Sequence, residues 1–586
     1  MPFAGWCRGD CDGDRTVAVN ELIDLVAIGL EQRPASTCPG GDGNGDGTVS
    51  VAEILGGVGA ALHGCPRGAD MLLCNGKVFT ANPDQPSADA VAIQAGVITA
   101  VGSADVLRGL ADAHTEILDL GGRTVIPGFN DAHVHVLPFF PFPTFFVGLD
   151  PSLDEATAAL APLAAAAPEG GTIGGSIGAT VLDDPTATRF LLDGIAPQNP
   201  VVMQGFTGHG MLFNTALMDR LGVAADQPDP PGGFFVRDPD TGIISGVAHE
   251  YAQFIMERQY IAQQSEAAAI AVYRIMDQVF ASQGITSVQL MAGQPTLQLA
   301  RLLAAADPKL RWRIIRMPMP TDADWPLDDV DGHEAFSHPH VMISGLKYFL
   351  DGTPIERLAA LRIPYADRPE SSGHLNFSAA DIEQMLRSAI DADQQPMFHA
   401  VGDRAIETLL TAMEAVAPPA TWQRLRPRVE HGDVLPPDLF ERARAVGLVV
   451  VQNPIHFTLT DEFGLRFDAE RLAQNQPMQT LLREGIPLAL GSDSPATPLD
   501  DIQLAIAHPA NPAEGLTREQ ALLAHTSGAA YAEHAEQYKG RLAPCMLADI
   551  TVLSLDILTV PLAEVPNAKP LLTMVGGEIV YRDPTL

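Results

Sequence analysis

The sequence predicts an α/β fold, a (β/α)8 TIM barrel, on three observations. Apolar, strand-like runs end repeatedly on a polar residue: Lys347 in Ile343-Ser344-Gly345-Leu346-Lys347-Tyr348-Phe349-Leu350, His399 after Pro396-Met397-Phe398, His431 in Arg428-Val429-Glu430-His431, and Asp493 after Leu488-Ala489-Leu490-Gly491-Ser492. Helix-like stretches follow, at 405–416 and 437–446. The intervals repeat too: 32 residues from His399 to His431 and 62 from His431 to Asp493 match one and two βα units of a barrel of roughly 250 residues.

In chain order, residues 1–66 come first and read as a separate unit. Asp10, Asp12, Asp14, Thr16 and Glu21 recur 32 residues later as Asp42, Asn44, Asp46, Thr48 and Glu53, with Ser50 between the last two. Oxygen donors at loop positions 1, 3 and 5, a main-chain carbonyl at 7 and a bidentate Glu at 12 wrap a hard cation, so both copies read as calcium loops. Gly47 holds the sharp sixth position of the second copy, whereas Arg15 replaces it in the first and puts that site's affinity in doubt. Apolar helix-like runs follow at 22–30 and 54–62, and the pair resembles an EF-hand or dockerin-like calcium module.

Residues 68–125 and 541–586 carry short alternating strands with hairpin signals at Gln94-Ala95-Gly96 and Gly576-Gly577. They predict a second domain made from both flanks. The barrel is expected over 126–540, its first strand ending in Asp131-Ala132-His133-Val134-His135. Alternation puts His133 and His135 on one face, where two imidazoles a pleat apart can grip one ion. Lys347 suits strand 4, His399 and His431 strands 5 and 6, and Asp493 strand 8. The 212 residues from His135 to Lys347 exceed three βα units by roughly a hundred. An insertion near 150–250 is therefore expected, with a helix at the Ala-rich run 159–167.

The segments PGFNDAHVH, GLKYFLDGT, FHAVGDRAIETLL, RVEHGDVL and GSDSP, in that order, resemble the metal-dependent amidohydrolase superfamily, specifically its YtcJ-like amidohydrolase 3 branch. Also similar are HGMLFNTALMDRLGV, RDPDTGIISGVAHE and KGRLAPCMLADITVLSLD, so the match runs from about residue 68 to the end. The resemblance implies a barrel with its active site at the C-terminal ends of the strands, beside a small β-sandwich built from the flanks. It implies that His133 and His135 bind one ion, His399 and His431 a second, and Lys347 bridges both, while Asp493 ligates the first and acts as base. A protonated lysine offers no lone pair; a neutral one that has reacted with carbon dioxide becomes an anionic carbamate ligand.

The chemistry follows. A zinc-like ion lowers the pKa of its water from about 16 to roughly 7 and polarises a carbonyl, so hydroxide attack on an amide becomes feasible with Asp493 as general base. The competing reading of Asp493 is a helix N-cap in Asp493-Ser494-Pro495. His209 and His456 are candidate substrate-binding residues, the latter at the end of strand 7, and Glu250 is a weaker one; a satisfied loop or rim position is the bland alternative for each. The aromatic run Leu137-Pro138-Phe139-Phe140-Pro141-Phe142-Pro143-Thr144-Phe145-Phe146 favours a hydrophobic or aromatic small-molecule substrate.

Composition sets limits. A formal charge of -36 disfavours nucleic acid and anionic membranes as partners, since those require basic stripes, and neutral or cationic amides, carbamates or esters fit better. No apolar span is long enough to insert into a membrane. Cys7, Cys11, Cys38 and Cys65 cluster in the calcium module, which favours a periplasmic or extracellular location over the cytoplasm, although no signal-peptide pattern is visible at Met1–Trp6. A homo-oligomer, and a protein partner for the calcium module, are compatible with the chain. Hydrolysis of an amide or carbamate C–N bond is the leading expectation. Ester hydrolysis, deamination or a non-hydrolytic reaction at the same metal site is the alternative, and a calcium-dependent surface interaction protein with vestigial catalysis the second.

Overall fold

The computed structural model describes residues 9–12, 16–30, 32–38, 40–42, 48–63, 69–136, 142–320, 336–493 and 497–586. Asp14, Asn44, Asp46, Arg15, Gly47 and the aromatic positions 137–141 lie outside them. Residues 130–279 and 287–532 form one compact unit; residues 1–129, 280–286 and 533–586 form the other.

The larger unit is built on eight strands: β1 Phe129–Val134, β2 Ile285–Ala292, β3 Arg311–Arg316, β4 Val341–Phe349, β5 Pro396–Ala400, β6 Arg428–His431, β7 Val449–Gln452 and β8 Leu488–Leu490. They lie side by side in chain order in one sheet, with parallel pairing from β2 through β8. The strands read as continuous apolar runs because both faces are covered; every residue of β1, β2, β5, β6, β7 and β8 is buried. The sheet curls until its edges meet just beyond β8: the Asp493 amide donates to His133 O at 2.8 Å, and Ser492 donates to Asp131 through its amide at 2.9 Å and its hydroxyl at 2.6 Å. Gly491 permits this approach, since a Cβ there would lie 2.4 Å from the His133 nitrogen. Crossover helices such as Ala379–Asp391, opened by a Ser378–Asp381 capping box, and Asp403–Val416 turn amphipathic faces to the strands.

The chain between β1 and β2 folds into a sheet of its own over 144–250. It forms a six-stranded mixed sheet in the order Gly233–Arg237, Ile244–Glu250, Gly210–Phe213, Val201–Gly205, Ile173–Ile177, Thr144–Phe145. The Ala-rich run is the helix Leu153–Ala166. The alternative for Asp493 is corrected: Thr497 caps the next helix, Pro498–Ala507, its hydroxyl accepting from the Asp500 amide.

The smaller unit contains a β-sandwich. A four-stranded sheet (Val97–Gly102, Ala90–Gln94, Met71–Cys74, Glu116–Asp119) faces a six-stranded one (Glu578–Arg582, Pro570–Val575, Ile550–Leu553, Thr124–Pro127, Lys77–Phe79, Ser87–Ala88). Leu73, Val91, Ile93, Val125, Ile550 and Leu572 form the core between them. The N-terminal helices Val19–Gly29 and Val51–His63 pack through Leu25, Ile28 and Val49. A Cys11–Cys38 disulfide ties the first loop to the following segment. Among the described residues no helix is long and apolar enough to cross a membrane.

Candidate active site

The C-terminal ends of the barrel strands bring six of the sequence-derived residues together. His133, on β1, and His135, just beyond it, place their Nε2 atoms 3.3 Å apart, the alternation expected of a strand. Asp493 Oδ1 lies 3.3 Å from His133 Nε2 and 3.6 Å from His135 Nε2. Lys347 Nζ, from β4, is 3.0 Å from His133 Nε2. His431 sits with its ring 4.9 Å from that of His133 and 4.7 Å from that of His399. Two donor groups each gather within 4.8 Å: His133, His135 and Asp493, then His431, His456 and Asp493. His399 stands outside both, so the second group differs from the expected His399–His431 pair by including His456. That histidine lies four residues past the end of β7 at Gln452, in a 3-10 turn Pro454–Leu459, rather than at the strand's end.

These donors fit a divalent cation. His133 Nδ1 contacts Glu430 Oε2 at 2.6 Å, and His431 Nδ1 contacts Asn453 Oδ1 at 2.8 Å, the Asn453 amide nitrogen being committed to Gly491 O. Each acceptor holds the ring proton on Nδ1 and leaves Nε2 as a lone pair. The His133 lone pair faces His135 Nε2 at 3.3 Å and Asp493 Oδ1 at 3.3 Å, a set of imidazole and carboxylate donors that a cation can join. His399 Nδ1 is buried without a hydrogen-bond partner, while Nε2 is 3.4 Å from Gly352 O.

Backbone conformation is part of the construction. His431 and Asp493 have φ of 71° and 53°, a left-handed geometry that costs non-glycine residues energy and concentrates at functional sites. At His431 it breaks the pleat. Consecutive residues would otherwise face opposite sides of β6, yet Glu430 and His431 both approach His133. Glu430 is the contributor that sequence reasoning missed: it is fully buried and accepts from Arg428 Nε at 2.8 Å and from a terminal Arg428 nitrogen at 2.9 Å. Arg428 continues to Gln289 Oε1 at 2.6 Å and Ala132 O at 2.8 Å.

Electrostatics separates the roles. Burial pulls the Lys347 ammonium down to about 8 against the opposing pull of Glu430 and Asp493. Burial opposes ionisation of Asp493, but His133 and His431 outweigh it and hold the carboxyl well below its ordinary range. Burial, with neighbouring cations, pushes His135, His399 and His431 well below theirs. His456 goes the other way: burial is outweighed by Asp433 and Asp493, each 3.3 Å from one of its ring nitrogens, and the value rises to about 10. His209 is likewise raised, burial yielding to Glu250 at 2.9 Å from Nδ1.

A cavity of about 790 Å3 opens onto His135, Lys347, His399, His431 and Asp493. Its remaining wall is mainly apolar, including Phe145, Phe206, Phe254, Phe349, Met317 and Phe463, and His209 and His456 line it as well.

The model of the Amidohydrolase family matches residues 116–581. The chain belongs to the amidohydrolase family. It is thus a metal-dependent hydrolase acting on carbon–nitrogen bonds other than peptide bonds. The amidohydrolase is 28% identical to "Putative amidohydrolase YtcJ" of Bacillus subtilis (strain 168), covering 67% of this chain and 76% of that protein. It is 25% identical to "N-substituted formamide deformylase" of Arthrobacter pascens, covering 87% and 98%. An uncharacterised metal-dependent hydrolase from Pyrococcus horikoshii OT3 shares the fold, with a TM-score of 0.66, 21% identity, and 84% and 99% of the two chains covered.

Proposed function

We propose that this amidohydrolase cleaves an amide or carbamate C–N bond of a small, hydrophobic or aromatic substrate. The observation carrying this reading is the apolar, aromatic-walled cavity ending on the histidine–carboxylate cluster. The likeness to a deformylase of N-substituted formamides over most of both chains supports it. His133, His135 and Asp493 would hold one divalent ion, zinc by the chemistry of imidazole and carboxylate donors; His399 and His431 would hold a second. A bound ion supplies Lewis acidity to a water and to the scissile carbonyl. Asp493, ionised at neutral pH, takes the proton from the attacking water and returns it to the leaving nitrogen. His456 braces Asp493 from the opposite side, and His209, held at Nδ1 by Glu250, lines the cavity where the substrate sits.

The decisive experiment is a panel of aromatic and aliphatic amides, carbamates and esters, scored for released amine or alcohol with the metal-loaded protein. Aromatic amides or carbamates should turn over, and His133→Ala should lose both bound metal and turnover. Cleavage of esters alone, or a His133→Ala protein that keeps its metal and full activity, sinks the proposal.

Lys347 would bridge the ions as a carbamate. Burial keeps a neutral fraction of this amine near pH 7, and Nζ stands 3.0 Å from His133 Nε2. Metal uptake by apoprotein should therefore increase with bicarbonate, and Lys347→Met should abolish that dependence; uptake indifferent to bicarbonate in the wild type removes the carbamate.

For the N-terminal module we propose calcium binding, supported by Asp10, Asp12 and Glu21 gathering their carboxylates within 4.8 Å. Glu21 presently accepts from the amides of Cys11 at 2.6 Å and Ala18 at 2.7 Å, and Glu53 from the Ser50 amide at 2.8 Å. Calcium at a hundred times its Kd should stabilise the module by about 2.7 kcal/mol, read as a calcium-dependent melting transition that Glu21→Gln weakens. A melt insensitive to calcium removes the site. The Cys11–Cys38 bond supports an oxidising, exported setting.

A further inference from the structure

One helix forms the part of the cavity wall farthest in character from the rest. Tyr251–Ala262 turns Phe254, Glu257, Arg258 and Ile261 to the cavity, the i, i+3, i+4, i+7 face of a helix. Phe254 touches the catalytic end, its ring 4.6 Å from that of Phe349 and 5.9 Å from that of His209. Glu257 follows one turn on, about 5 Å along the axis. It is a carboxylate only 8% exposed in an otherwise largely apolar wall.

The surroundings of Glu257 are arranged as an acceptor site. Gln204 Nε2 donates to its Oε1 at 2.7 Å and Gln253 Nε2 to the same oxygen at 2.5 Å. Gln253 is itself fixed by donating to Gly208 O at 2.7 Å. Both amides thus converge on one carboxylate oxygen, and the carbonyl oxygens of Gln204 and Gln253 are buried without a donor. Glu257 and Gln204 line the cavity, and the Gln204 carbonyl oxygen beside the carboxylate has no donor; burying an acceptor unpaired is costly. Burial lifts the Glu257 carboxyl to about 7 despite those amides, in keeping with a site that awaits a cationic partner.

We infer that Glu257 is a specificity-determining residue that binds a protonated amine on the substrate, one helical turn past Phe254 on the wall leading away from the bond that is cleaved. This rests on the amide-hydrolase reading above for the second half of that statement only. The cavity would then select a hydrophobic or aromatic amide bearing a second, unacylated amino group. The strongly acidic chain, at -36, favours the approach of such a cation.

The test compares three formamides on the metal-loaded enzyme: N-formyl-4-(aminomethyl)benzylamine, its neutral 4-ethyl analogue and its 4-carboxy analogue. It also measures, by calorimetry, binding of 1,4-bis(aminomethyl)benzene and of its neutral isostere 1,4-bis(hydroxymethyl)benzene. The wild type should prefer the amine-bearing formamide, and bind the diamine more tightly, by roughly 10- to 100-fold, as expected for a charge-assisted hydrogen bond. Glu257→Gln should erase both preferences while leaving the neutral compounds within about twofold, which also reports an intact cavity. Equal binding of diamine and diol by the wild type overturns the inference, as does a diamine preference that survives Glu257→Gln. Preference for the carboxylate overturns it too and assigns the wall to Arg258. If no formamide is cleaved, the hydrolytic reading fails, and the binding pair still decides the role of Glu257.

Discussion

Asp493→Asn should lower kcat by about 10²- to 10⁴-fold, the contribution of a positioned general base, with KM changed far less. The side chain keeps its shape and can still offer an oxygen toward His133 and His135, 3.3 and 3.6 Å away, but it can no longer accept a proton. Metal content measured on the same samples separates the two roles of this residue. A fall in kcat at unchanged metal occupancy supports the base. Activity that tracks metal loss and returns with added metal would leave Asp493 as a ligand only.

Glu430→Gln should be damaging twice. Arg428 would lose its two-pronged partner in a fully buried place; breaking a buried pair by removing one charge costs about 3–5 kcal/mol. His133 Nδ1 would lose its charged acceptor at 2.6 Å, and metal affinity should drop about 10- to 100-fold, as when other outer partners of metal-binding imidazoles are removed. Denaturant melts of the apoprotein read the first effect and competition with a chelating dye the second. Adding Arg428→Met should restore part of the stability and none of the affinity; recovery of both would mean that Glu430 acts only through Arg428. The pH dependence has a definite sign. Burial raises the Glu430 carboxyl, but Arg428 and His133 outweigh it and hold it well below the ordinary glutamate range. Its contribution is complete above about pH 4.3 and disappears only as the pH falls through the depressed folded value.

The barrel was legible because it repeats: a buried parallel strand must be apolar along its length, so a histidine, lysine or aspartate closing such a run stands out. Lys347, His399 and His431 lie on β4, β5 and β6, and Asp493 lies just beyond β8. The insertion showed only as excess length. Its six strands pair residues far apart in sequence, such as Gly210 with His249, and no local pattern encodes a partner forty positions away. Glu430 was hidden for a different reason. Alternation assigns it the face opposite His431, and nothing in Arg428-Val429-Glu430-His431 announces that the backbone turns left-handed at its last residue. His456 stands beyond the end of β7, where the 3-10 turn Pro454–Leu459 carries it, and the apolar run alone does not show where the strand stops. The Cys11–Cys38 pairing is a choice among several that spacing leaves open.

The flanking sandwich has a consequence for how the chain is made. Thr124–Pro127 pairs with Ile550–Leu553, so Val125 lies opposite Val552, and the two partners leave the ribosome more than four hundred residues apart. At about 5–20 residues per second, tens of seconds pass in which the early strands Lys77–Phe79 and Thr124–Pro127 exist without the edge that completes their sheet. The nascent chain therefore carries an unpaired apolar edge for about three quarters of its synthesis, a state open to improper strand addition. Truncation near the C-terminus makes that state permanent, so products lacking only the final forty residues should be found in inclusion bodies although every residue of the catalytic barrel is present.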